Sequence, residues 1–265
     1  MLVLKIGGSI MDYNLSHFFD ELALLSKKED IILVHGGGRV VDKVAKQLGI
    51  EQKYITSPSG IRSRYTDIET LNILIMVIAG RINKFIVAEL MKRDVNAVGL
   101  SGADGRLIFA KRKVKLRIKE GNKILAIDGG YTGRISDVNK NFLTLLLEHK
   151  YLPVVSPIGI DSEGNLLNLD GDRVATYIAA YMGADDVILF TDVPGVLING
   201  KLVEKISTSK LGMLKPQLGP GMERKLLYAD EALKRGVSRV HIAPIDMSNP
   251  ISSALNCKSG TLVIS

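Results

Sequence analysis

The sequence predicts an α/β protein on a parallel sheet, and three observations carry that expectation. Short runs rich in β-branched residues alternate with amphipathic segments, so the chain opens β-α-β-α. The first two runs both end in glycines, Gly7-Gly8 and Gly36-Gly37-Gly38. No internal repeat or low-complexity stretch interrupts the pattern. Parallel strands joined by helices take right-handed crossovers, and ligands lie beyond the strands' carboxyl ends. Both glycine turns are therefore placed to face one crevice.

The first strand covers residues 2–6, and Gly7-Gly8-Ser9 stops it. Lys5 lies inside this apolar strand. Burying a lysine is costly unless an anion meets it, so Lys5 is either an edge-strand residue or a fixed cation. Residues 15–26 read as an amphipathic helix. The stretch I-I-L-V-H-G-G-G-R, 31–39, is the centre of the pattern: a buried strand, three glycines, then helical spacing over 40–48. A strand, a glycine turn and a helix N-terminus together suit an anion, because backbone N–H groups can face it. An ordinary tight turn is the other reading.

Residues 52–59 are polar and suit a hairpin or flap, followed by G-I-R-S-R-Y-T-D, 60–67. Arg62 and Arg64 offer two-pronged carboxylate contacts or simple surface pairing. Thr66 or Asp67 can cap a helix over 68–93. Residues 97–100 form a strand. From Lys113 the charge alternation is strict: Lys113, Lys115, Arg117 and Lys119 share one face of a predicted strand over 110–119, with Val114, Leu116 and Ile118 on the other. Such a stripe either blocks sheet-to-sheet pairing or docks an acidic macromolecule.

A glycine turn at 129–134, a helix near 140–149, a strand at 152–157 and a loop or hairpin at 158–167 follow. N-L-D-G-D-R-V-A, 168–175, opens a small-residue helix to 182. Asp170 and Asp172 there are caps, or carboxylates that orient lysines or sit near a metal-bound phosphate. Residues 187–191 are a buried strand ended by D-V-P-G-V, with a short hairpin around 202–203. G-M-E-R-K then places Lys225 on the first turn of a helix to 235. The last strands are 240–243 and 261–264.

The 265 residues are 46% hydrophobic and 24% charged, enough for one large α/β domain. The single cysteine, Cys257, makes no internal disulfide and points to the cytoplasm. The apolar strand at the start carries no signal-peptide pattern, and the longest apolar run, 71–79, is short of a membrane span. Net charge is +7 and the pI about 9.3, which suggests an anionic partner or a generally lysine-rich surface. Walker, H-E-x-x-H and G-x-S-x-G motifs are absent, and the four histidines are scattered. Aromatics do not interleave with basic residues as an RNA-stacking surface would require.

Taken in order, L-K-I-G-G-S, V-H-G-G-G, G-I-R with T-D, N-x-D-G-D, T-D-V-P-G-V and G-M-x-x-K span nearly the whole chain. This series resembles the amino-acid kinase family in its acetylglutamate-kinase branch. The resemblance implies a three-layer αβα sandwich around a mostly parallel open sheet. It implies one domain, 1–265, with an acceptor-binding lobe (1–166) and an ATP-binding lobe (167–265). The implied reaction moves phosphate from ATP, with Mg²⁺, to a side-chain carboxylate. Carried over by motif, Lys5 and Lys225 would stabilise the transferring phosphoryl group and Asp172 would orient them. Gly36 and Gly37 would hold the reacting carboxylate through their N–H groups, and Arg62 with Asn168 the α-carboxylate end. Gly8 would approach the phosphates, and Thr191 with Asp192 would line the nucleotide site. No residue is assigned to bind a metal.

Two departures point within the branch. Plain acetylglutamate kinases usually read G-x-R-x-T, whereas this chain inserts Arg64 and Tyr65; they usually read N-x-N, whereas this chain has Asp170. Both features resemble kinases whose aminoadipate or glutamate substrate is carried on the small acidic protein LysW. The +7 charge and the basic stripe suit such a partner. Without the N-terminal extension that resembles the mark of arginine-inhibited hexamers, the expectation is a cytoplasmic homodimer. The competing readings are a kinase for free N-acetylglutamate, a silent binding protein on the same fold, and a nucleic-acid binder inferred from pI alone.

Overall fold

The computed structural model describes residues 1–8, 15–121 and 123–265. Ser9, which closes the first glycine turn in the sequence reading, lies outside the described residues. The strands in chain order are β1 (Leu2–Ile6), β2 (Ile31–His35), β3 (Tyr54–Thr56), β4 (Arg62–Arg64), β5 (Ala97–Ser101) and β6 (Ile108–Arg112). There follow β7 (Lys115–Glu120), β8 (Lys123–Asp128), β9 (Gly133–Val138), β10 (Leu152–Ser156), β11 (Ile158–Ile160) and β12 (Leu166–Asn168). The chain ends with β13 (Asp186–Thr191), β14 (Leu197–Ile198), β15 (Lys201–Leu202), β16 (Lys205–Ser207), β17 (Arg239–Pro244) and β18 (Thr261–Ile264).

The central sheet has eight strands in the order β16-β18-β17-β13-β1-β2-β10-β5. Its pairs are parallel except β17 with β18. Strand alternation sorts side chains to two faces. Leu2, Leu4 and Ile6 of β1 join one apolar core with helices Ser16–Leu25 and Gly38–Gln47. Val3 of β1 joins the other, with helices Lys140–Glu148, Gly171–Met182 and Pro220–Leu233. Helices thus cover both faces, which is the expected three-layer αβα sandwich. β1 and β13 lie at the middle of the sheet, so the turns that follow them open into the same crevice.

Asp67, not Thr66, caps the long helix: its side chain accepts the Thr70 N–H at 2.9 Å. That helix runs Ile68–Met91 and is longer and more apolar than the 71–79 run suggested. Its inner side, including Ile73, Ile78, Ile82, Ile86 and Leu90, is buried in the first core, as in the core helix of a globular domain. The flap is a hairpin, β3 with β4.

The predicted single strand 110–119 is two. β6 belongs to a four-stranded sheet, β12-β11-β6-β9, whereas β7 pairs only with β8 in a separate ribbon. The break falls at Lys113 and Val114, where the Gly129 N–H reaches the Val114 carbonyl at 3.0 Å. A Cβ on Gly129 would lie 1.4 Å from the Lys113 carbonyl oxygen, so only glycine permits this crossing. The four-residue stripe is corrected accordingly. Lys115, Arg117 and Lys119 are exposed on β7, but Val114 is exposed rather than apolar-face, and Lys113 turns inward. β8, β16 and the helix Pro250–Leu255 are additions to the sequence reading.

Candidate active site

Lys5 is not an edge residue. β1 is flanked by β13 and β2, and Lys5 is only 8% exposed. Its Nζ lies 2.6 Å from Asp172 Oδ1, and Lys225 Nζ lies 2.7 Å from Asp172 Oδ2. One carboxylate therefore holds two ammonium groups from the first strand and from the Pro220–Leu233 helix. Lys225 is the sixth residue of that helix, one turn later than the sequence reading placed it. Asp170 and Asp172 divide their roles. Asp170 caps the Gly171–Met182 helix by accepting the Asp172 and Arg173 N–H groups at 3.0 and 3.4 Å. Asp172, in that helix's first turn, holds the lysines where the helix end also favours negative charge.

Burial pushes the Asp172 carboxyl upward, but Lys225 and Lys5 outweigh it and hold it well below the usual carboxylate range. Asp172 is therefore ionised throughout the neutral range. Burial lowers the Lys225 ammonium below an ordinary lysine, with Asp172 opposing and Lys5 adding to the effect. Losing that proton removes a positive charge from the trio, so activity is expected to fall as pH rises. The alkaline limb of kcat/KM, which reports the free enzyme, is expected below about pH 10.4. A limb at or above that value counts against the role of Lys225.

Two cavities meet at this trio. A cavity of about 260 Å³ is lined by Gly7, Gly8, Gly38, Thr191, Asp192 and Lys225. A cleft of about 580 Å³ is lined by Lys5, Gly37, Arg64, Asn168 and Asp172, among others, and shares Gly8 and Gly38 with the first. The two glycine turns touch: a Cβ on Gly8 would lie 2.8 Å from the Gly38 nitrogen. At the mouth, Arg39 reaches Asp192 at 2.6 Å.

The Gly36 N–H donates to the Ile6 carbonyl at 2.9 Å, which stitches the second turn to β1. The Gly37 and Gly38 N–H groups have no partner among the described residues, and they sit at the start of the Gly38–Gln47 helix, where an anion is favoured. Before them, His35 is fully buried between the Gly36 carbonyl (3.1 Å) and the Asn83 side chain (3.0 Å). Burial pushes its imidazole down to about 4, so it is neutral. Asn83 in turn donates to the Val154 carbonyl at 2.9 Å. This buried chain of contacts fixes the glycine turn, and only the final geometry exposes it.

Asn168 donates to the Thr66 hydroxyl at 2.9 Å and faces the cleft. Arg64 enters the cleft, paired with Asp42 at 2.7 Å and with the Gly38 carbonyl at 3.1 Å. Arg62 and Tyr65 are not brought in. The Arg62 guanidinium stacks 4.4 Å over the Tyr54 ring and is exposed, and the Tyr65 ring lies against Gly130. Sequence reasoning missed Arg224. It donates to Asp170 at 3.1 Å and to the Arg62 carbonyl at 2.8 Å, tying the Lys225 helix to the flap. Its place beside Lys225 in G-M-E-R-K was the available signal.

The open αβα sheet and the Lys5–Asp172–Lys225 trio are what a phosphotransferase of this fold is expected to carry. The chain belongs to the amino acid kinase family, whose profile matches residues 1–244. A relative from Nitrosopumilus maritimus is 47% identical over 264 residues, covering 99% of both chains. The LysW-aminoadipate/LysW-glutamate kinase of Sulfurisphaera tokodaii is 42% identical, and that of Saccharolobus islandicus 40%, each alignment covering at least 99% of both proteins. Among solved structures, N-acetylglutamate synthase from Neisseria gonorrhoeae superposes with a TM-score of 0.83 at 24% identity; this chain spans 59% of that longer one. An isopentenyl phosphate kinase superposes at 0.65 and 20% identity over 99% of both chains. These two likenesses bear on the fold alone.

Proposed function

We propose that the chain transfers the γ-phosphoryl group of ATP to the side-chain carboxylate of aminoadipate or glutamate carried on the acidic protein LysW. The observation that carries this reading is the Lys5–Asp172–Lys225 trio at the junction of the two cavities. A carboxylate oxygen of the acceptor attacks the γ-phosphorus, the bond to the β,γ-bridging oxygen breaks, and acyl phosphate and ADP result. The acceptor is already ionised, so no base is required. Catalysis is then positioning and charge neutralisation, which two fixed ammonium groups supply. Gly8 and Gly38 bring backbone to the phosphates, Thr191 and Asp192 line the nucleotide side, and Gly37 and Asn168 face the acceptor. Among the described residues no cluster of three His, Cys, Asp or Glu side chains offers a metal site. Mg²⁺ enters with ATP as part of the substrate. The lobes divide at 166/167, and the protein acts in the cytoplasm as a homodimer; light scattering measures that mass directly.

The relatives' description supports the carrier-borne substrate, as do the exposed cations of β7. The test is acyl-phosphate formation trapped with hydroxylamine, using ATP–Mg²⁺ with free N-acetylglutamate or with LysW bearing aminoadipate or glutamate. Product only with loaded carrier is expected. Efficient turnover of free N-acetylglutamate identifies an acetylglutamate kinase instead, and no product with any acceptor favours a silent binder. In the same assay, Lys115→Glu with Arg117→Glu is expected to raise KM for the carrier about tenfold or more, with kcat nearly unchanged. Unaltered kinetics would remove β7 from the docking surface.

A further inference from the structure

Seven cationic side chains line the larger cleft, and four are tied to carboxylates of the chain. The remaining three, Lys113, Arg117 and Arg134, have no carboxylate partner among the described residues. They are not scattered. The Lys113 N–H bonds the Thr132 carbonyl at 2.9 Å, and Arg134 follows two residues on, at the start of β9. Thr132 also bridges to Asn168, so this wall adjoins the acceptor-facing residues.

Two independent features mark the wall as incomplete. The Thr132 hydroxyl oxygen is buried and has no hydrogen-bond partner. Buried hydroxyls are ordinarily satisfied, and an orphan calls for a missing group. Lys113 is withdrawn from water beside two other cations: burial, then Arg173 and Arg134, depress its ammonium. Asp170, the carboxylate that acts against this, is already engaged in capping and with Arg224. A surface lysine with no ligand to meet has no reason to turn into such a place, since its neighbours Lys115, Arg117 and Lys119 reach solvent.

We infer that Lys113, Arg134 and the Thr132 hydroxyl form a carboxylate subsite. It holds one acidic group more than the reacting and α-carboxylates of an acylated amino acid, borne on the acyl side of the acceptor. A cleft of about 580 Å³ has room for this longer ligand. An anion there accepts from Thr132, neutralises Lys113 and spreads its charge to Arg134, so the three unfinished features are completed by one group. Such a subsite separates acceptors by carboxylate count. This inference rests on the reading of the cleft as the acceptor site.

The test is calorimetric binding of two probes to the full chain, N-acetyl-L-glutamate with two carboxylates and γ-L-glutamyl-L-glutamate with three. The wild-type protein is expected to bind the second at least about tenfold tighter. Lys113→Met should bring the ratio of the two dissociation constants close to one, and Lys113→Arg should preserve it. Thr132→Val should reduce it by a separate route, which guards against a folding defect in any one variant. Equal wild-type affinities, or a ratio that survives Lys113→Met, overturn the subsite alone. Binding of neither probe to the wild type overturns the acceptor reading and the subsite with it.

Discussion

Asp172→Asn is expected to lower kcat by about two to three orders of magnitude while leaving KM for ATP within a few-fold. The asparagine fits the space but carries no charge. Lys5 and Lys225, both nearly buried, then face each other without the anion that now lies 2.6 and 2.7 Å from them. Their repulsion is relieved by movement or by loss of a proton from one of them. Either change removes a fixed charge from the transferring phosphoryl group. The fold suffers as well, since removing one partner of a buried pair costs about 3–5 kcal/mol. Denaturant unfolding measures that loss. Its pH dependence has a definite sign. The Asp172 carboxyl is depressed in the folded protein, so its contribution is present above the unfolded value of about 3.9 and fades as pH falls below it. The gap between wild type and Asp172→Asn therefore closes on acidification.

A purely structural role for the trio predicts a different result. Stability would fall while kcat in the remaining folded protein stayed near wild type. The cycle with Lys225→Ala separates the two. If Asp172 acts through the lysines, Lys225→Ala costs less activity in the Asp172→Asn background than in wild type. Additive losses would mean that the residues act independently.

Legibility in the sequence followed the range of each signal. The opening strands, both glycine turns and the helix over residues 171–182 depend on local period and punctuation, and they were readable. So were Lys5, Asp172 and Lys225 as candidates, because Lys5 precedes a glycine turn, Asp172 opens a helix and Lys225 follows a proline- and glycine-rich loop. That one carboxylate serves both lysines was not readable from the residues alone, since the trio joins β1 to helices far along the chain. The split between β6 and β7 was missed for a similar reason. Strict alternation from Lys113 looks continuous until the Gly129 turn crosses it, and that crossing is a long-range contact. β8 carries Ile124 and Leu125 largely exposed on a two-stranded ribbon, so its apolar residues do not report a core. Arg62 and Arg64 look equivalent in sequence, and both lie against the Tyr54 ring on the same side of β4; only Arg64 reaches the cleft, where Asp42 and the Gly38 carbonyl hold it.

Gly8→Ala carries the second large expected effect. The added methyl would lie 2.8 Å from the Gly38 nitrogen, 3.3 Å from the Gly37 carbonyl carbon and 3.4 Å from the Arg39 nitrogen. All three are backbone atoms, so no side-chain rotation relieves the clash, and the two turns must separate. These turns border both cavities, and the Gly37 and Gly38 N–H groups stand at their junction. A displacement of about 1 Å at reacting groups costs on the order of a hundredfold in rate. We therefore expect kcat/KM for ATP to fall about a hundredfold, with a stability loss of only about 1–3 kcal/mol, the usual range for overpacking. Gly212→Ala is the control, because a Cβ there meets nothing within 4 Å. The contrast isolates the close approach of the turns from the general effect of replacing a glycine. If Gly8→Ala keeps kcat/KM within about threefold, the phosphates are not held by backbone at this junction. The site's selectivity for phosphate would then rest on Lys5 and Lys225 alone.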